Sequence, residues 1–370
     1  MHIVVTGADG FIGKNLRVRL GELGTHTVTS VTRTTTAGEL TEALSRADFV
    51  FHLAGVNRPK EPVEFDLGNR GSTQTLVDAL VAAGRSIPVA LSSSTQAELD
   101  NPYGVSKRAA EDVLLDYGRQ SGAPVYVLRL PNVFGKWCRP NYNSAVATFC
   151  HNITRDLPIT VNASAPPLRL VYVDDVVETF IHLMGRPQSG SAMVEVAPVY
   201  ETTVAEIAKT LQGFHASRTS LVTARVGTGL TRALYSTYVS YLPVNEFAYE
   251  VPRHGDPRGV FVEMLKTPDC GQFSYFTAHP GITRGEHYHH TKTEKFLVIR
   301  GTAHFGFRHI LTGETHELVT HGSEARIVET VPGWTHNITN IGSEELIVML
   351  WANEIFDRQR PDTVSMKVVS

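Results

Sequence analysis

The sequence predicts an α/β fold, with a doubly wound parallel sheet, followed by an all-β barrel domain. In the first part of the chain, short apolar runs without polar alternation are interspersed with amphipathic helical periods, as in a parallel sheet covered on both faces. From about residue 247, strand-like runs separated by Gly, Pro, Asn and Thr replace the helical periods. The length of 370 residues suits two domains, which we place at residues 1–245 and 246–370.

Each element is predicted from its local pattern. The parallel strands are expected at the buried apolar runs 2–6, 27–31, 49–53, 89–92 and 125–129. The helices are expected where apolar residues recur every three or four positions, at 12–21, 73–83 and 105–120. The barrel strands are expected at 260–265, 295–299, 303–307 and 346–351.

Composition excludes several classes of function. A net charge of −3 provides no basic field, so we expect no nucleic-acid partner. No run approaches the ~20 apolar residues of a transmembrane helix, and the N-terminus lacks a signal-peptide pattern, so we expect no membrane partner. The cysteines, Cys138, Cys150 and Cys270, form no CxxC pair. This favours a reducing, cytoplasmic location.

A glycine-rich turn, T-G-A-D-G-F-I-G, connects the first strand to the first helix. Gly7 permits the tight turn, Gly10 lets the backbone approach a pyrophosphate, and Gly13 allows the helix to pack closely on the strand. The helix then begins at Phe11 and Ile12, where free N–H groups and the positive end of the helix dipole face the phosphates. The turn therefore predicts a nicotinamide dinucleotide site.

The end of the second strand indicates which dinucleotide binds. An NAD-specific enzyme usually has Asp or Glu there for the ribose 2′-hydroxyl, whereas this chain has S-V-T-R-T-T. A cation among hydroxyls suits a 2′-phosphate, so Arg33 favours NADPH. The alternative is that Arg33 is a solvated surface residue.

Tyr103 and Lys107 are four residues apart at the start of a helix, so their side chains share one face. A phenol beside an ammonium group and a nicotinamide ribose should have its pKa lowered toward neutrality, as a proton donor to a carbonyl requires. A run of three serines, 92–94, ends the preceding strand, where a hydroxyl could orient the same carbonyl. The sequence therefore predicts carbonyl reduction.

Residues 1–240 resemble the extended short-chain dehydrogenases/reductases that act on nucleotide sugars. The matching segments are TGADGFIG (6–13), HLAG (52–55), PYGVSK (102–107), RLPNVFG (129–135) and YVDD (172–175). The resemblance implies a Rossmann-like fold with the catalytic residues Ser94, Tyr103 and Lys107. The further cofactor contacts that it implies are Leu53, Ala54 and Gly55, and the substrate contacts are Asn132 and Arg169.

The C-terminal half contains a second chemical pattern. His287 and His289 alternate on a predicted strand and so point to one face, Glu294 follows a turn, and His336 lies on another strand. Three imidazoles and a carboxylate are typical ligands of Zn²⁺ or another divalent metal, and such a site can leave room for a substrate oxygen. The alternative is a histidine-rich surface strand.

The spacing G-x-H-x-H-x(4)-E-x(6)-G, followed by P-G-x-x-H, resembles the two cupin motifs, and it implies that the barrel is a cupin barrel. The segment D-P-R-G-V-F-V-E at 256–263 is similar to the entry segment of deoxysugar 3,5-epimerase cupins. This similarity implies that Arg258 helps to hold a nucleotide diphosphate. Those epimerases work without metal, so the four metal ligands here are a departure from them.

Over nearly its full length the chain resembles the bifunctional capsular polysaccharide enzymes of the UDP-N-acetyl-L-fucosamine pathway. The resemblance implies that the cupin epimerises C3 of a UDP-2-acetamido-2,6-dideoxy-4-hexulose. The reductase then reduces C4 with NADPH to give UDP-N-acetyl-6-deoxy-L-talosamine. A C3 proton is acidic only while C4 is a ketone, so epimerisation must come first. We also expect a homodimer.

Two alternatives remain. The chain could be a sugar-nucleotide reductase whose cupin binds metal only for structure or regulation. It could also be a redox-sensing binding protein on a reductase scaffold, but such proteins commonly lose the Tyr/Lys pair that is present here as Tyr103 and Lys107.

Overall fold

The structure is a computed structural model that describes residues 1–162, 164–185, 190–247, 249–289, 292–310, 312–331, 333–359 and 361–369. The chain divides into two compact units, Met1–Leu211 with Arg232–Pro243, and Gln212–Thr231 with Val244–Ser370. Residues 212–231 belong to the second unit, where Val222 forms an isolated bridge with Lys266. The domain boundary at 245/246 stays a prediction.

The first unit alternates strands and helices. Its strands are β1 (His2–Thr6), β2 (Thr27–Val31), β3 (Phe49–His52), β4 (Val89–Ser94), β5 (Val125–Leu130), β6 (Asn132–Phe134), β7 (Leu168–Tyr172), β8 (Ala192–Met193) and β9 (Tyr200–Thr202). The helices of the chain are α1 (Phe11–Leu23), α2 (Ala37–Ser45), α3 (Val63–Asp66), α4 (Ser72–Ala83), α5 (Pro102–Ser121), α6 (Ala145–Ile153), α7 (Val173–Met184), α8 (Val204–Ser220) and α9 (Gly229–Val239). No helix among the described residues is long and apolar enough to span a membrane.

The predicted Rossmann-like parallel sheet is confirmed. Six parallel strands pair in the order β2-β1-β3-β4-β5-β8. β1 and β3 are apolar and almost entirely buried, because helices cover both faces of the sheet. The chain passes from β1 to β2 on one side and then returns to β3 on the other. This reversal of strand order opens a crevice at the carboxyl ends of β1 and β3, where α/β proteins bind their ligands.

The second unit is an antiparallel β structure. Its strands are β10 (Arg253–Asp256), β11 (Gly259–Thr267), β12 (Gly271–Ala278), β13 (Thr283–Tyr288), β14 (Glu294–Arg300), β15 (Thr302–His309), β16 (Thr315–His321), β17 (Ile327–Glu329), β18 (Trp334–Asn340), β19 (Leu346–Ala352) and β20 (Val364–Ser365). They form two sheets, β10-β11-β12-β19-β14-β17 and β16-β15-β18-β13-β20. Phe276 and Phe296 of the first sheet share a core with Phe305 and Ile338 of the second. The antiparallel architecture is as predicted, and closure into a cupin barrel stays an expectation.

Candidate functional site

The glycine turn lies against the end of β3. Gly7 has a φ of 64°, and a Cβ there would lie 2.7 Å from the backbone nitrogen of Ala54 and the carbonyl carbon of Leu53. A Cβ on Gly13 would lie 2.4 Å from the carbonyl oxygen of Gly7. Any larger residue would push these backbones apart, so both positions require glycine. The structure thus brings the turn and residues 53–55 together at the crevice.

The start of α1 is open to an anion. Gly10, the N-cap, offers no side-chain hydrogen bond, and the first turn contains no acidic residue. The N–H groups of Phe11 and Ile12 are therefore not capped by a side chain. Arg33 lies just beyond the end of β2, is exposed, and forms no ion pair among the described residues. The turn, helix start and Arg33 could hold a dinucleotide phosphate and a ribose 2′-phosphate.

Tyr103 and Lys107 are placed by the start of α5, where Asn101 Oδ1 accepts a hydrogen bond from Gly104 N at 2.8 Å. The Ser94 hydroxyl acts on the Tyr103 phenol, whose pKa it tends to lower, and it accepts from Gln96 N at 3.2 Å. The Ser93 hydroxyl instead donates to the buried carboxylate of Glu111. Of the two neighbouring hydroxyls, that of Ser94 is thus the one that acts on the Tyr103 phenol.

Burial is the largest influence on the pKa values of Lys107 and Tyr103. It lowers the pKa of Lys107 to about 8, although the charge of Glu111 acts in the opposite direction. Burial also raises the pKa of Tyr103, and the Ser94 hydroxyl opposes this rise without cancelling it. The expected lowering of the phenol pKa is therefore not produced by the protein's own residues. The Lys107 ammonium donates to the Ser92 carbonyl oxygen at 2.8 Å.

Two buried polar residues beside Lys107 were not predicted from the sequence. Asn69 holds the loop after β3, because its Oδ1 accepts from Val56 N at 3.0 Å and its Nδ2 donates to Val56 O at 2.9 Å. A Cβ on Gly55 would lie 2.8 Å from Asn69 Oδ1 and 3.8 Å from Lys107 Nζ. The only sequence signal for Asn69 is a polar residue that interrupts an apolar helical face.

The second of these residues is His52, which the H-L-A-G segment contains but to which we assigned no role. Its ring nitrogens are hydrogen-bonded to Thr6 Oγ1 at 2.7 Å and to Thr73 Oγ1 at 3.0 Å. Burial, with a smaller contribution from the charge of Lys107, lowers its pKa to about 3, so the imidazole is neutral. His52 therefore ties β1, β3 and α4 together beneath the crevice.

The residues expected to contact substrate lie in both units. Asn132 on β6 and Arg169 on β7 are adjacent, since Asn132 Nδ2 donates to the Arg169 carbonyl oxygen at 3.2 Å. Arg258 lies in the turn between β10 and β11, where its Nη2 is 2.6 Å from Asp256 Oδ2. The side chains of Arg169 and Arg258 are both exposed.

The four predicted metal ligands come together in the second unit. The ligand atoms of His287, His289, Glu294 and His336 all lie within 4.8 Å of one another. Glu294 Oε2 is 3.2 Å from His289 Nε2 and 3.4 Å from His336 Nε2. The register of β13 on β18 shifts at Glu286, which has a φ of 59°, so that His287 lies opposite His336.

The electrostatics of this cluster lower the pKa values of Glu294 and His287. Burial tends to raise the pKa of Glu294, but the hydrogen bonds from His289 and His336 and the charge of Lys292 hold it well below its ordinary value. Burial, followed by the neighbouring imidazoles, lowers the pKa of His287 to about 4. His336 Nδ1 is buried without a hydrogen-bond partner in the described part of the chain. A largely buried set of three imidazoles and one carboxylate, with the pKa values of Glu294 and His287 both lowered, fits a divalent ion such as Zn²⁺.

A layer of contacts around the ligands was not predicted. Lys292 Nζ lies 3.0 Å from Glu294 Oε1, the oxygen that does not face the imidazoles. Asp362 is hydrogen-bonded to both Lys292 and His289. Its Oδ2 accepts from Lys292 N at 2.8 Å, and its carbonyl oxygen accepts from His289 Nδ1. The bond from Nδ1 leaves His289 Nε2 as the ligand atom.

Arg284 is a further cation near the cluster that sequence reasoning missed. It lies on β13, three residues before His287, and its guanidinium is 5.1 Å from the ring centroid of Phe276 in the core. Its Nε is buried and has no hydrogen-bond partner among the described residues, and burial lowers its pKa. The available signal was an arginine directly before G-x-H. A cation with an unused donor could bind an anionic group of a ligand.

Comparisons with known proteins agree with this architecture. Residues 3–197 match the NAD dependent epimerase/dehydratase family, and residues 254–364 match the polysaccharide biosynthesis C-terminal domain. A Pseudomonas aeruginosa protein named UDP-2-acetamido-2,6-beta-L-arabino-hexul-4-ose reductase is 59% identical over 368 residues, with 100% of this chain and 99% of that protein covered.

Two solved structures illustrate the similarity. The capsular polysaccharide assembling protein CapF of Staphylococcus aureus superimposes with a TM-score of 0.91 at 43% identity, over 99% of this chain and 100% of that one. The UDP-glucose 4-epimerase of Thermus thermophilus in complex with NAD aligns over 65% of this chain and 99% of its own, with a TM-score of 0.54 at 20% identity. The second similarity extends to the fold alone.

Proposed function

This chain belongs to the CapF-type family of capsular polysaccharide assembling proteins, with an NAD-dependent epimerase/dehydratase domain, and we propose that it reduces the C4 ketone of a UDP-linked 4-keto sugar. The observation that carries the proposal is the group of Ser94, Tyr103 and the buried Lys107 at the carboxyl end of the parallel sheet, where Ser94 acts on the Tyr103 phenol and the Lys107 ammonium donates to the Ser92 carbonyl oxygen. Such a group suits proton transfer to a carbonyl oxygen.

NADPH, when bound at the glycine turn, supplies the hydride for C4. Tyr103 donates the proton to the C4 oxygen, and the neighbouring Ser94 hydroxyl orients the same carbonyl. Lys107 holds a positive charge that stabilises the phenolate after the proton has left. Asn132 and Arg169, adjacent on β6 and β7, bind the sugar nucleotide. The exposed Arg33, without an ion-pair partner in the described residues, supports NADPH over NADH.

The same proposal includes epimerisation at C3 in the second unit before reduction. His287, His289, Glu294 and His336 would hold a divalent ion, most simply Zn²⁺, which would act as a Lewis acid toward the C4 carbonyl. Arg284, with its unused Nε, and Arg258 would bind the nucleotide diphosphate. The substrate would be a UDP-2-acetamido-2,6-dideoxy-4-hexulose and the final product UDP-N-acetyl-6-deoxy-L-talosamine.

The reduction can be tested directly by measuring NADPH oxidation with a panel of UDP- and dTDP-linked 4-keto-6-deoxy sugars. We expect turnover with the UDP-linked 2-acetamido sugar and much slower turnover with its dTDP counterpart. Equal turnover of both, or oxidation with neither, would contradict the proposal.

A second candidate function is reduction alone, with a metal that serves only the fold. The name of the 59% identical relative mentions a reductase and no epimerase, which favours this candidate. A chelator should leave the reduction of a pre-epimerised ketone intact if the metal acts in epimerisation. Loss of that reduction would favour the structural role.

We also propose that the chain acts as a homodimer. Val81 on α4 is exposed and lies beside Val77 and Val113 at a groove between α4 and α5, which suits an apolar contact. Sedimentation equilibrium of the purified chain should give twice the chain mass. A single-chain mass at micromolar concentration would contradict the dimer.

A further inference from the structure

A cavity of about 1090 Å³ lies along the side of α1 in the first unit. Lys14, Arg17 and Gly21 of α1 line one wall, His26 and Ser30 line another, and the loop from Trp137 to Pro140 closes a third. Lys14 follows the glycine turn directly, and the wall formed by α1 extends from Lys14 to Gly21, near the C-terminal end of that helix. None of Gly7–Gly13, Tyr103 or Asn132 lines this cavity, so it is separate from the site proposed for catalysis.

The cavity is positively charged. Lys14, Arg17 and Arg139 carry positive charges, and no carboxylate is found among the described residues that line the walls. The imidazoles of His26 and His151 also line them, and burial followed by the charge of Arg155 lowers the pKa of His151. Arg17 is 3.2 Å from Asp9, but both side chains of this pair are solvent-exposed, so the pair neutralises little of the field. His26 Nδ1 is buried without a hydrogen-bond partner in the described residues. Such a surface suits phosphate oxygens.

An aromatic face accompanies these charges. Trp137 is 48% exposed, and its backbone is held in the left-handed region with a φ of 68°, which a non-glycine residue seldom adopts. The loop is fixed by neighbours, since the Tyr241 hydroxyl donates to the Cys138 carbonyl oxygen and Asn141 N donates to Thr148 Oγ1 at 3.0 Å. Trp137 therefore lines the cavity from an anchored loop, with the Lys136 ammonium 5.5 Å from its ring centroid. Exposed aromatic rings beside cations are the usual platform for a nucleobase.

We propose that this cavity binds a nucleoside diphosphate, with the base on Trp137 and the two phosphates on Lys14, Arg17 and Arg139. The volume suits a ligand of that size. A free nucleotide and the nucleotide part of a sugar nucleotide share this chemistry. The site is independent of the proposed reaction, because none of its residues belongs to the catalytic group or to the metal cluster.

The test is a titration of the full chain with UDP, followed by tryptophan fluorescence. We expect UDP to quench the emission, and we expect Trp137→Phe to lose this quenching while its thermal unfolding and its NADPH oxidation are retained. Inorganic pyrophosphate should bind at least tenfold more weakly than UDP, because it lacks a base. UDP-N-acetylglucosamine is titrated separately. Tighter binding than that of UDP identifies a sugar nucleotide as the ligand, and weaker binding identifies a free nucleotide.

The charge requirement is tested by the double variant Lys14→Gln/Arg139→Gln. We expect its dissociation constant for UDP, taken from the part of the fluorescence quenching that Trp137→Phe abolishes, to rise at least tenfold. The matched control, Arg46→Gln/Arg119→Gln, removes two exposed arginines of the same unit that pair only with Glu42 and Asp116 on their own helices. Unchanged quenching in Trp137→Phe, equal affinity for UDP and pyrophosphate, or equal effects of the two double variants would overturn the proposal.

Discussion

Lys107 has only 5% of its surface exposed, and its ammonium donates to the Ser92 carbonyl oxygen. Burial disfavours the charged form, so the pKa falls from 10.5 to about 8. Below that pH the side chain is charged, and above it the side chain is neutral. We therefore expect kcat/KM for ketone reduction to fall as the pH rises through about 8, in a profile measured with saturating NADPH. A profile that is level up to pH 10.5 would contradict this assignment.

Arg33 decides the choice of cofactor if it binds the 2′-phosphate. A hydrogen bond to a charged group contributes about 1.5–3 kcal/mol, so Arg33→Ala should lower kcat/KM for NADPH by roughly 10- to 100-fold. NADH lacks the phosphate, and its use should change little. Steady-state kinetics with both cofactors measure this, with Arg46→Ala, which changes the exposed arginine directly after α2, as the control. Equal losses of kcat/KM for the two cofactors would show that Arg33 does not bind the 2′-phosphate.

At the scale of elements, the segment 362–368 secures β13, which carries the proposed metal ligand His287, and the residue His289 just beyond it. Its strand β20 pairs with β13, so that Ser365 lies opposite His287. Glu286, at the bulge, accepts a hydrogen bond from Val368 N on its Oε2 at 2.7 Å and one from Met366 N on its carbonyl oxygen at 2.9 Å. The segment thus fixes both the bulge and, through Asp362, the orientation of His289.

The Asp362 side chain provides a test of this arrangement. Asp362→Ala removes the acceptor for Lys292 N and frees the lysine that holds Glu294 Oε1. Contacts of this kind typically change metal affinity by about 10- to 100-fold, and we expect a Zn²⁺ dissociation constant raised by that factor in a competition assay with a chelating dye. Glu344→Gln, which removes only an exposed ion pair with Arg300 from the same unit, is the control. Equal zinc affinities in the two variants would contradict the role of Asp362.

The main elements were predictable because their patterns are long. The helical periods that predict α1, α4 and α5, and the apolar runs that predict β1 to β5, each extend over several residues. The bounds of these elements in the structure lie within a few residues of the predicted ones. β20 was not predictable. It has only two residues, too few to show a periodic pattern, and it forms by pairing with β13, which is distant in the sequence. The clustering of His287, His289, Glu294 and His336 could be predicted from their spacing, and their binding of a metal stays a prediction. Lys292, Asp362 and Arg284 could not, because their roles arise from contacts that only the folded chain creates.

At the scale of the whole molecule, the two chemical groups lie in different units. Tyr103 belongs to the first, and the metal cluster belongs to the second. If the proposed reactions are separate, a change in one unit should leave the other activity intact.

Two variants measure this separation. Tyr103→Phe should abolish NADPH oxidation, because the phenol is the proton donor, while deuterium uptake at C3 from solvent continues. His289→Ala should reduce that uptake and leave NADPH binding unchanged. Thermal unfolding of both variants distinguishes a lost reaction from a lost fold. Loss of C3 exchange in a stably folded Tyr103→Phe protein would contradict separate sites, and normal exchange in a stable, metal-free His289→Ala protein would remove the metal from the reaction.

The pairing of β20 with β13 also has a consequence for biosynthesis. The metal ligands lie between residues 287 and 336, yet the contacts that orient His289 and the Glu286 bulge come from residues 362–368. During translation the first unit can fold while the rest of the chain is still being made. The ligand set gains its final geometry only after residue 368 has left the ribosome. If the cluster binds a metal as proposed, metal loading is therefore a late event, and a chain that stalls shortly before that point would carry all four residues without the contacts that orient His289 and the bulge.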